Sequence, residues 1–225
     1  MIARLKRLGG AALDLIYPRR AVCMGCGSAA GCREDWICPE CRRALADSWV
    51  GAWPPPKGID GAAYAYVYRG PAAGIVQRMK YSGVYRLADF MAADMARACA
   101  FLGPTGADFV TAVPMHPKRL RQRGYNHAER MARSVAARMG LPYLEALDRV
   151  RDTPQQARLD EETRRGNMKD AFALRAAVRG RVALLVDDVC TTGATARACA
   201  KALKRGGAKR VYLLCYTVAQ PNQWT

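Results

Sequence analysis

No apolar stretch in this 225-residue chain approaches the roughly 20 uninterrupted residues of a membrane-crossing helix, so none is expected. Neither GxxxxGK[ST] nor a GxGxxG turn after a strand is present, which removes the P-loop and the dinucleotide-binding turn as sources of phosphate chemistry. Histidine is scarce, with only His116 and His127, and acids are outnumbered: 19 Asp and Glu against 36 Lys and Arg, a formal net charge of +17. Charge of that size is silent about fold but favours polyanionic partners, whether nucleic acid, nucleotide-like substrates or an anionic membrane surface. No internal repeat or low-complexity tract is visible.

The chain is 51% hydrophobic and carries nine cysteines. Five fall between Cys23 and Cys41, while Cys99, Cys190, Cys199 and Cys215 lie scattered in apolar segments. That split argues against a secreted disulfide framework and for a metal site plus buried free thiols in a reducing compartment. The basic-then-apolar start, Met1 to Ile16, raises a signal peptide. Asp14 interrupts it and no clean small-residue cleavage site follows, so an amphipathic helix with Leu5, Leu8 and Ala12 on one face, and a cytoplasmic protein, are expected.

Cys23-x2-Cys26 and Cys38-x2-Cys41 are eleven residues apart, and two such knuckles grip a tetrahedral zinc through four thiolates. Four thiolates leave no open position, so this zinc is expected to hold a fold and do no chemistry. Cys32 is a spare thiol or an alternative ligand. So short a segment cannot bury enough apolar surface alone, and metal binding worth on the order of 10 kcal/mol supplies the difference. Residues 48–58, SWVGAWPPPKG, read as a linker by composition, stiffened by Pro54 to Pro56.

From Ala62 to Tyr68 tyrosine and small residues alternate, with Tyr64, Tyr66 and Tyr68 on one face of a strand. Such rings stack bases or pack against a helix, and packing is the favoured reading. Helices are expected over Gly74 to Lys80 and Leu87 to Leu102. Taken alone, Lys80 is an ordinary helix-end cation. Asp108 to Val113 reads as a strand, followed by Pro114-Met115-His116-Pro117-Lys118-Arg119 and a basic run that opens a helix at Asn126. Strand, Pro-bounded turn and basic cluster make an anion site, although Arg119, Arg121 and Arg123 also suit a solvated basic face. A further strand is expected within Leu141 to Val150. Residues 151–170 are polar and poor in core residues, a length of loop that is usually functional or disordered.

Everything else is arranged around Arg181 to Arg205, RVALLVDDVCTTGATARACAKALKR. Val182 to Val186 is too short for a buried helix and reads as a strand covered on both faces, ending at Asp187 and Asp188. Thr191-Thr192-Gly193-Ala194-Thr195 follows, then a helix stopped by Gly206-Gly207 and a second apolar strand, Val211 to Val218. The unit is a βαβ crossover. Its loop offers unpaired N–H groups and the positive end of a helix dipole to an anion, and the carboxylates suit the cis hydroxyls of a ribose. One phosphate beside one ribose is a 5-phosphoribosyl group. The bland alternative is an acidic strand end followed by a Thr-rich helix cap. The stretch resembles, nearly residue for residue, the signature loop of type I phosphoribosyltransferases, which bind phosphoribosyl pyrophosphate (PRPP).

The wider set resembles the ComF family, in which a cysteine-rich finger precedes a phosphoribosyltransferase-like domain. The residues that carry it are Cys23, Cys26, Cys38 and Cys41, Lys80-Tyr81, Val113 to Arg119, Arg123 to Asn126, Pro154-Gln155-Gln156, Arg165-Gly166-Asn167 and Leu185 to Thr195. The resemblance implies a type I phosphoribosyltransferase-like α/β fold, with a parallel sheet flanked by helices. It implies a helix and a four-cysteine zinc finger over 1–47, a linker over 48–58 and the main domain over 59–225. It also implies a PRPP site made of Asp187, Asp188, Val189, Cys190, Thr191, Thr192, Gly193, Ala194, Thr195 and Lys80, with Pro114, Met115, His116, Pro117, Lys118 and Arg119 on the pyrophosphate. The acid pair would hold the ribose, the two carboxylates being the catalytic candidates. Arg158, Arg165 and Asn167 would contact ligand from a flexible loop, and Mg²⁺ would bridge pyrophosphate and ribose oxygens. Cys190 occupies a variable loop position, and Asn126-His127 stands where relatives often have Asn-Gln.

Through the family's association with natural transformation, the resemblance implies a role in handling incoming single-stranded DNA during DNA uptake. The alternative is an active phosphoribosyltransferase displacing pyrophosphate from PRPP with an unidentified acceptor. A third reading is a scaffold whose finger docks a protein partner of the uptake machinery through Arg33, Glu34, Asp35 and Trp36, although Trp36 also suits the finger's own small core.

Overall fold

The computed structural model describes residues 22–29, 36–81, 87–150 and 171–219. In chain order these form α1 (Pro39–Ala46), β1 (Trp49–Trp53), β2 (Gly61–Val67), α2 (Gly70–Tyr81), α3 (Leu87–Ala100), β3 (Phe109–Ala112) and α4 (Pro117–Arg123). There follow α5 (His127–Met139), β4 (Leu147–Arg149), β5 (Phe172–Leu174), β6 (Val182–Cys190), α6 (Ala194–Arg205) and β7 (Arg210–Val218). The N-terminal helix reading, Cys32, Arg33 to Asp35, Pro154 to Gln156, Arg158, Arg165 and Asn167 lie outside the described residues.

The unbroken apolar run of β6 is explained by its interior place, between β7 and β3, in a sheet ordered β1-β2-β7-β6-β3. Strands β2, β7, β6 and β3 pair in parallel, and β1 adds an antiparallel edge. Both faces of β6 are covered, as a parallel strand requires. Leu184 and Val186 pack among α3 and α5 with Met91, Met95 and Met131. Ala183 and Leu185 face α6 with Cys199 and Leu203. A separate two-stranded pair, β4 with β5, brackets the chain 151–170.

Three expectations are corrected. Residues 48–58 contain the edge strand β1, because Trp49 finds a ring to pack on: Tyr66, edge-on at 5.4 Å. Tyr64 and Tyr66 are both buried, in favour of packing over base stacking, but they do not share a face. Tyr64 joins the α6 side near Cys190, while Tyr66 joins the other and donates from its hydroxyl to Asp94 of α3 at 2.9 Å. Strand β6 also runs past the acid pair to Cys190, since β7 continues to pair with it through Cys190 opposite Val218.

Candidate functional site

Asp187 and Asp188 project near the carboxyl end of the interior strand β6, where open α/β sheets gather ligands. The loop after them closes on Gly193, whose φ of 66° lies in the left-handed region that glycine enters without strain. Helix α6 then starts at Ala194, so Thr191 and Thr195 stand at its positive end. Two local bonds set the acid pair: the Asp188 N–H donates to Asp187 Oδ1 at 2.9 Å, and Thr217 Oγ1 donates to the Asp188 carbonyl at 3.1 Å.

Asp188 is a buried anion whose basic partners come from far along the chain. Lys80 Nζ, at the end of α2, lies 2.7 Å from its Oδ2, and His127 Nε2, at the first position of α5, lies 3.0 Å from the same oxygen. Both nitrogens therefore stand within ion-pair distance of one carboxylate oxygen. His127 Nδ1 is buried without a hydrogen-bond partner among the described residues. Burial alone would push the Asp188 carboxyl up, but the His127 hydrogen bond and the Lys80 charge overcome it and hold the group well below the usual carboxylate range. Burial opposes the Lys80 charge too, yet Asp188 keeps that ammonium above its ordinary value. Asp187 goes the other way: burial, then the Asp188 charge, push it well above the usual range. Adjacent carboxyls therefore hold protons very differently.

A cavity of ≈ 310 Å³ opens beside these groups. Asp187, Asp188, Val189, Thr191, Thr195, Lys80, Pro114, Met115 and Arg119, all named from the sequence as candidates, line it. His116, Pro117 and Lys118 do not. Residues 117–123 form helix α4, with Pro117 at its start and His116 as cap, the His116 Nδ1 accepting from the Lys118 N–H at 3.3 Å. Cys190, Gly193 and Ala194 surround a smaller recess under the loop, together with Cys215. The Thr192 hydroxyl is turned to the Ala194 N–H at 3.4 Å.

Arg123, weighed in the sequence as part of the basic cluster, also lines the cavity, whereas the sequence reading missed His127, Asn126, Tyr68 and Arg149 as cavity residues. Asn126 carries a legible signal as an N-cap: its side chain accepts from the Ala128 N–H at 3.1 Å and donates to the Val113 carbonyl at 3.2 Å, binding the start of α5 to the end of β3. His127 follows that cap directly and is one of only two histidines, the one hint available. A second cavity of ≈ 240 Å³ shares Pro114, Met115, Asn126 and Arg149 with the first and adds Glu129, Glu145, Asp148 and Arg175.

The four cysteines form the other cluster. The Sγ atoms of Cys23, Cys26, Cys38 and Cys41 all lie within 4.8 Å of one another, and those of Cys26 and Cys38 are 3.9 Å apart. Sulfurs about 2.3 Å from a tetrahedral zinc have nearly that separation. Gly25 and Cys38 N–H groups donate to Cys23 Sγ at 3.3 Å each, as thiolate acceptors require. Burial opposes ionisation of Cys23, but backbone donors bring it down to about 6. The set could hold a metal such as zinc. Among the described residues no helix is long and apolar enough to cross a membrane.

The family model for the phosphoribosyl transferase domain matches residues 122–224. DNA utilization protein YhgH of Escherichia coli O157:H7 is 29% identical over 206 residues, 86% of this chain and 88% of that protein. Competence protein F of Haemophilus influenzae is 29% identical over 155 residues, 64% of this chain and 66% of that protein. A solved structure of glutamine PRPP amidotransferase from B. subtilis, complexed with ADP and GMP, aligns at a TM-score of 0.40 and 21% identity over 58% of this chain and 26% of that one, too slight a likeness to argue from. The chain is thus similar over most of its length to DNA utilization and competence proteins, and its residues 122–224 match the phosphoribosyl transferase domain.

Proposed function

We propose that the cavity binds the 5-phosphoribosyl group of PRPP and that the protein acts in the cytoplasm on incoming single-stranded DNA during natural transformation. The observation that carries the ligand reading is the meeting of the acid pair with Thr191, Thr195 and a basic wall in one cavity. Asp187 and Asp188 take the ribose hydroxyls, and residues Thr191 to Thr195 take the 5-phosphate through N–H groups and hydroxyls. Arg119 reaches the pyrophosphate from α4, with Pro114 and Met115 shaping the wall. His116, Pro117 and Lys118 hold that helix start. Lys80 keeps Asp188 ionised and aimed.

Mg²⁺ bound along with the ligand would supply neutralising charge at the pyrophosphate beside Arg119. The four thiolates hold a structural zinc. The division at 1–47, 48–58 and 59–225 is retained, with the middle stretch as a structured connector. Contact from Arg158, Arg165 and Asn167 remains part of the reading. The competence role rests on the names of the relatives and on the +17 charge. Each neutralised DNA phosphate releases counterions, so binding of a single-stranded oligonucleotide should weaken steeply as salt rises.

A second reading is favoured by the adjoining ≈ 240 Å³ cavity, which gives an acceptor room beside the pyrophosphate wall. An acceptor lone pair there would bond to the ribose C1 as the C1–oxygen bond to pyrophosphate breaks. Pyrophosphate would leave with the bonding pair, and the acceptor's proton would pass to solvent.

Calorimetric titration with PRPP and Mg²⁺, beside an Asp187→Asn/Asp188→Asn variant, tests the ligand reading. Saturable binding that disappears in the variant is the expected result. Absence of heat and of competition in both proteins would overturn it.

A further inference from the structure

The first cysteine knuckle does not stand clear of the phosphoribosyl transferase-like body; it lies on helix α2. A Cβ at Gly74 would fall 2.0 Å from the Gly25 carbonyl oxygen, inside any permitted contact, so only glycine lets the knuckle backbone approach this closely. One turn further on, Arg78 Nη1 donates to the carbonyls of both Met24 and Gly25 at 3.0 Å. Gly27, at a φ of 84°, wraps the same guanidinium: a Cβ there would meet Arg78 Nη2 at 2.5 Å. Gly25 is in turn wedged against Cys41 Sγ and Pro71. The opposite face of α2 buries Ala72, Ile75, Val76 and Met79, in a core cluster that also contains Cys23, Cys38 and Cys41.

The far end of that helix is Lys80, whose ammonium holds Asp188. Six residues separate Gly74 from Lys80, about 9 Å of helix at 1.5 Å per residue, with no break between them. The end is also tied to the cavity wall, since the Tyr125 hydroxyl donates to the Met79 carbonyl. Tyr125 precedes Asn126 and His127, the residues that start α5.

We propose that Gly74 and Arg78 are positioning residues that couple the four-cysteine site to the cavity. A formed knuckle clamps the middle of α2 and so sets where Lys80 stands against Asp188. Because coupling is reciprocal, whatever fixes Lys80 at the cavity also tightens the metal site by the same factor.

Hydrogen-exchange mass spectrometry on the full chain tests this through peptides from α2 and, as a control, α6. Arg78→Ala, loaded with stoichiometric zinc, should exchange faster from Arg78 to Tyr81 and leave α6 unchanged, with Arg78→Lys between it and wild type. Its affinity for PRPP with Mg²⁺ should fall about tenfold, within the usual range for coupled sites. Zinc affinity, read by competition with a chromophoric chelator, should rise by that same factor when wild type is saturated with PRPP. Wild-type protection through Lys80 in the zinc-loaded Arg78→Ala protein would overturn the proposal. Gly74→Ala gives a second probe: zinc retained with α2 protection unaltered would overturn it equally. Only the PRPP readouts rest on the ligand reading. A wild type that ignores PRPP sinks that reading, while the exchange result still decides the coupling.

Discussion

The four cysteines around Cys23 and the acid pair at Asp187 both crowd ionisable acids together, and they differ in where the compensating groups come from. The four sulfurs of the cysteine site come from a short span of sequence and lie within 4.8 Å of one another. The carboxylate site has two basic partners built in, Lys80 and His127, at positions 80, 127 and 188 of three separate elements. One site could be held by an imported ion, whereas the other is assembled by the tertiary fold. A metal can gather ligands from a local segment, whereas the Asp188 cluster exists only once α2, α5 and β6 have packed.

Removing the metal should produce the largest effect. Structural zinc contributes on the order of 10 kcal/mol in small fingers, so a strong chelator or Cys41→Ser should lower the calorimetric unfolding temperature sharply. An unchanged transition would erase the contrast, leaving the cysteines as ordinary core residues. Next in size is Lys80→Met, which leaves a buried carboxylate short of one partner and should cost roughly 3 kcal/mol in urea unfolding. Adding Asp188→Asn should recover part of that loss, because the two changes act on one pair. Strict additivity would mean that the ion pair is not formed in solution.

The carboxyls should also separate by pH. With Asp188 depressed, its contribution is complete above the unfolded value of about 3.9 and is lost as pH falls through the lower folded value. Asp187 is raised, so its contribution is present below about 3.9 and is lost as pH rises toward the folded value. Asp187→Asn should therefore gain stability relative to wild type as pH rises from acid to neutral, and Asp188→Asn should lose the acid-side dependence. Parallel profiles for the two variants would show that the pair does not split. The smallest effect is expected at the half-exposed Arg133–Glu129 pair, 2.9 Å apart one turn along α5. Arg133→Ala should cost about 0.5 kcal/mol or less. A loss comparable to Lys80→Met would remove burial as the reason for the difference.

Legibility followed the same division. The cysteine spacing, the strand–loop–helix–strand unit around Asp187, the cap at Asn126 and the stop at Gly206 could be read along the chain, because each is a local matter of backbone conformation or residue spacing. Strand β1 was hidden by the glycine and prolines around it. What makes it a strand is Trp49 against Tyr66, a contact across the sheet. Composition also carried no warning that residues 117–123 would form a helix drawing Lys118 out of the cavity.

By itself the sequence determined the fold class, the cysteine ligand set, and the acid pair with its threonine loop, since periodicity and spacing act within a few residues. Only the tertiary structure decided which charges face Asp188, that His127 lies inside and His116 outside the cavity, and that Arg78 grips the cysteine knuckle. Those facts depend on helices from distant segments meeting over one strand, and distances of about 3 Å between such segments are fixed by packing rather than by any local pattern.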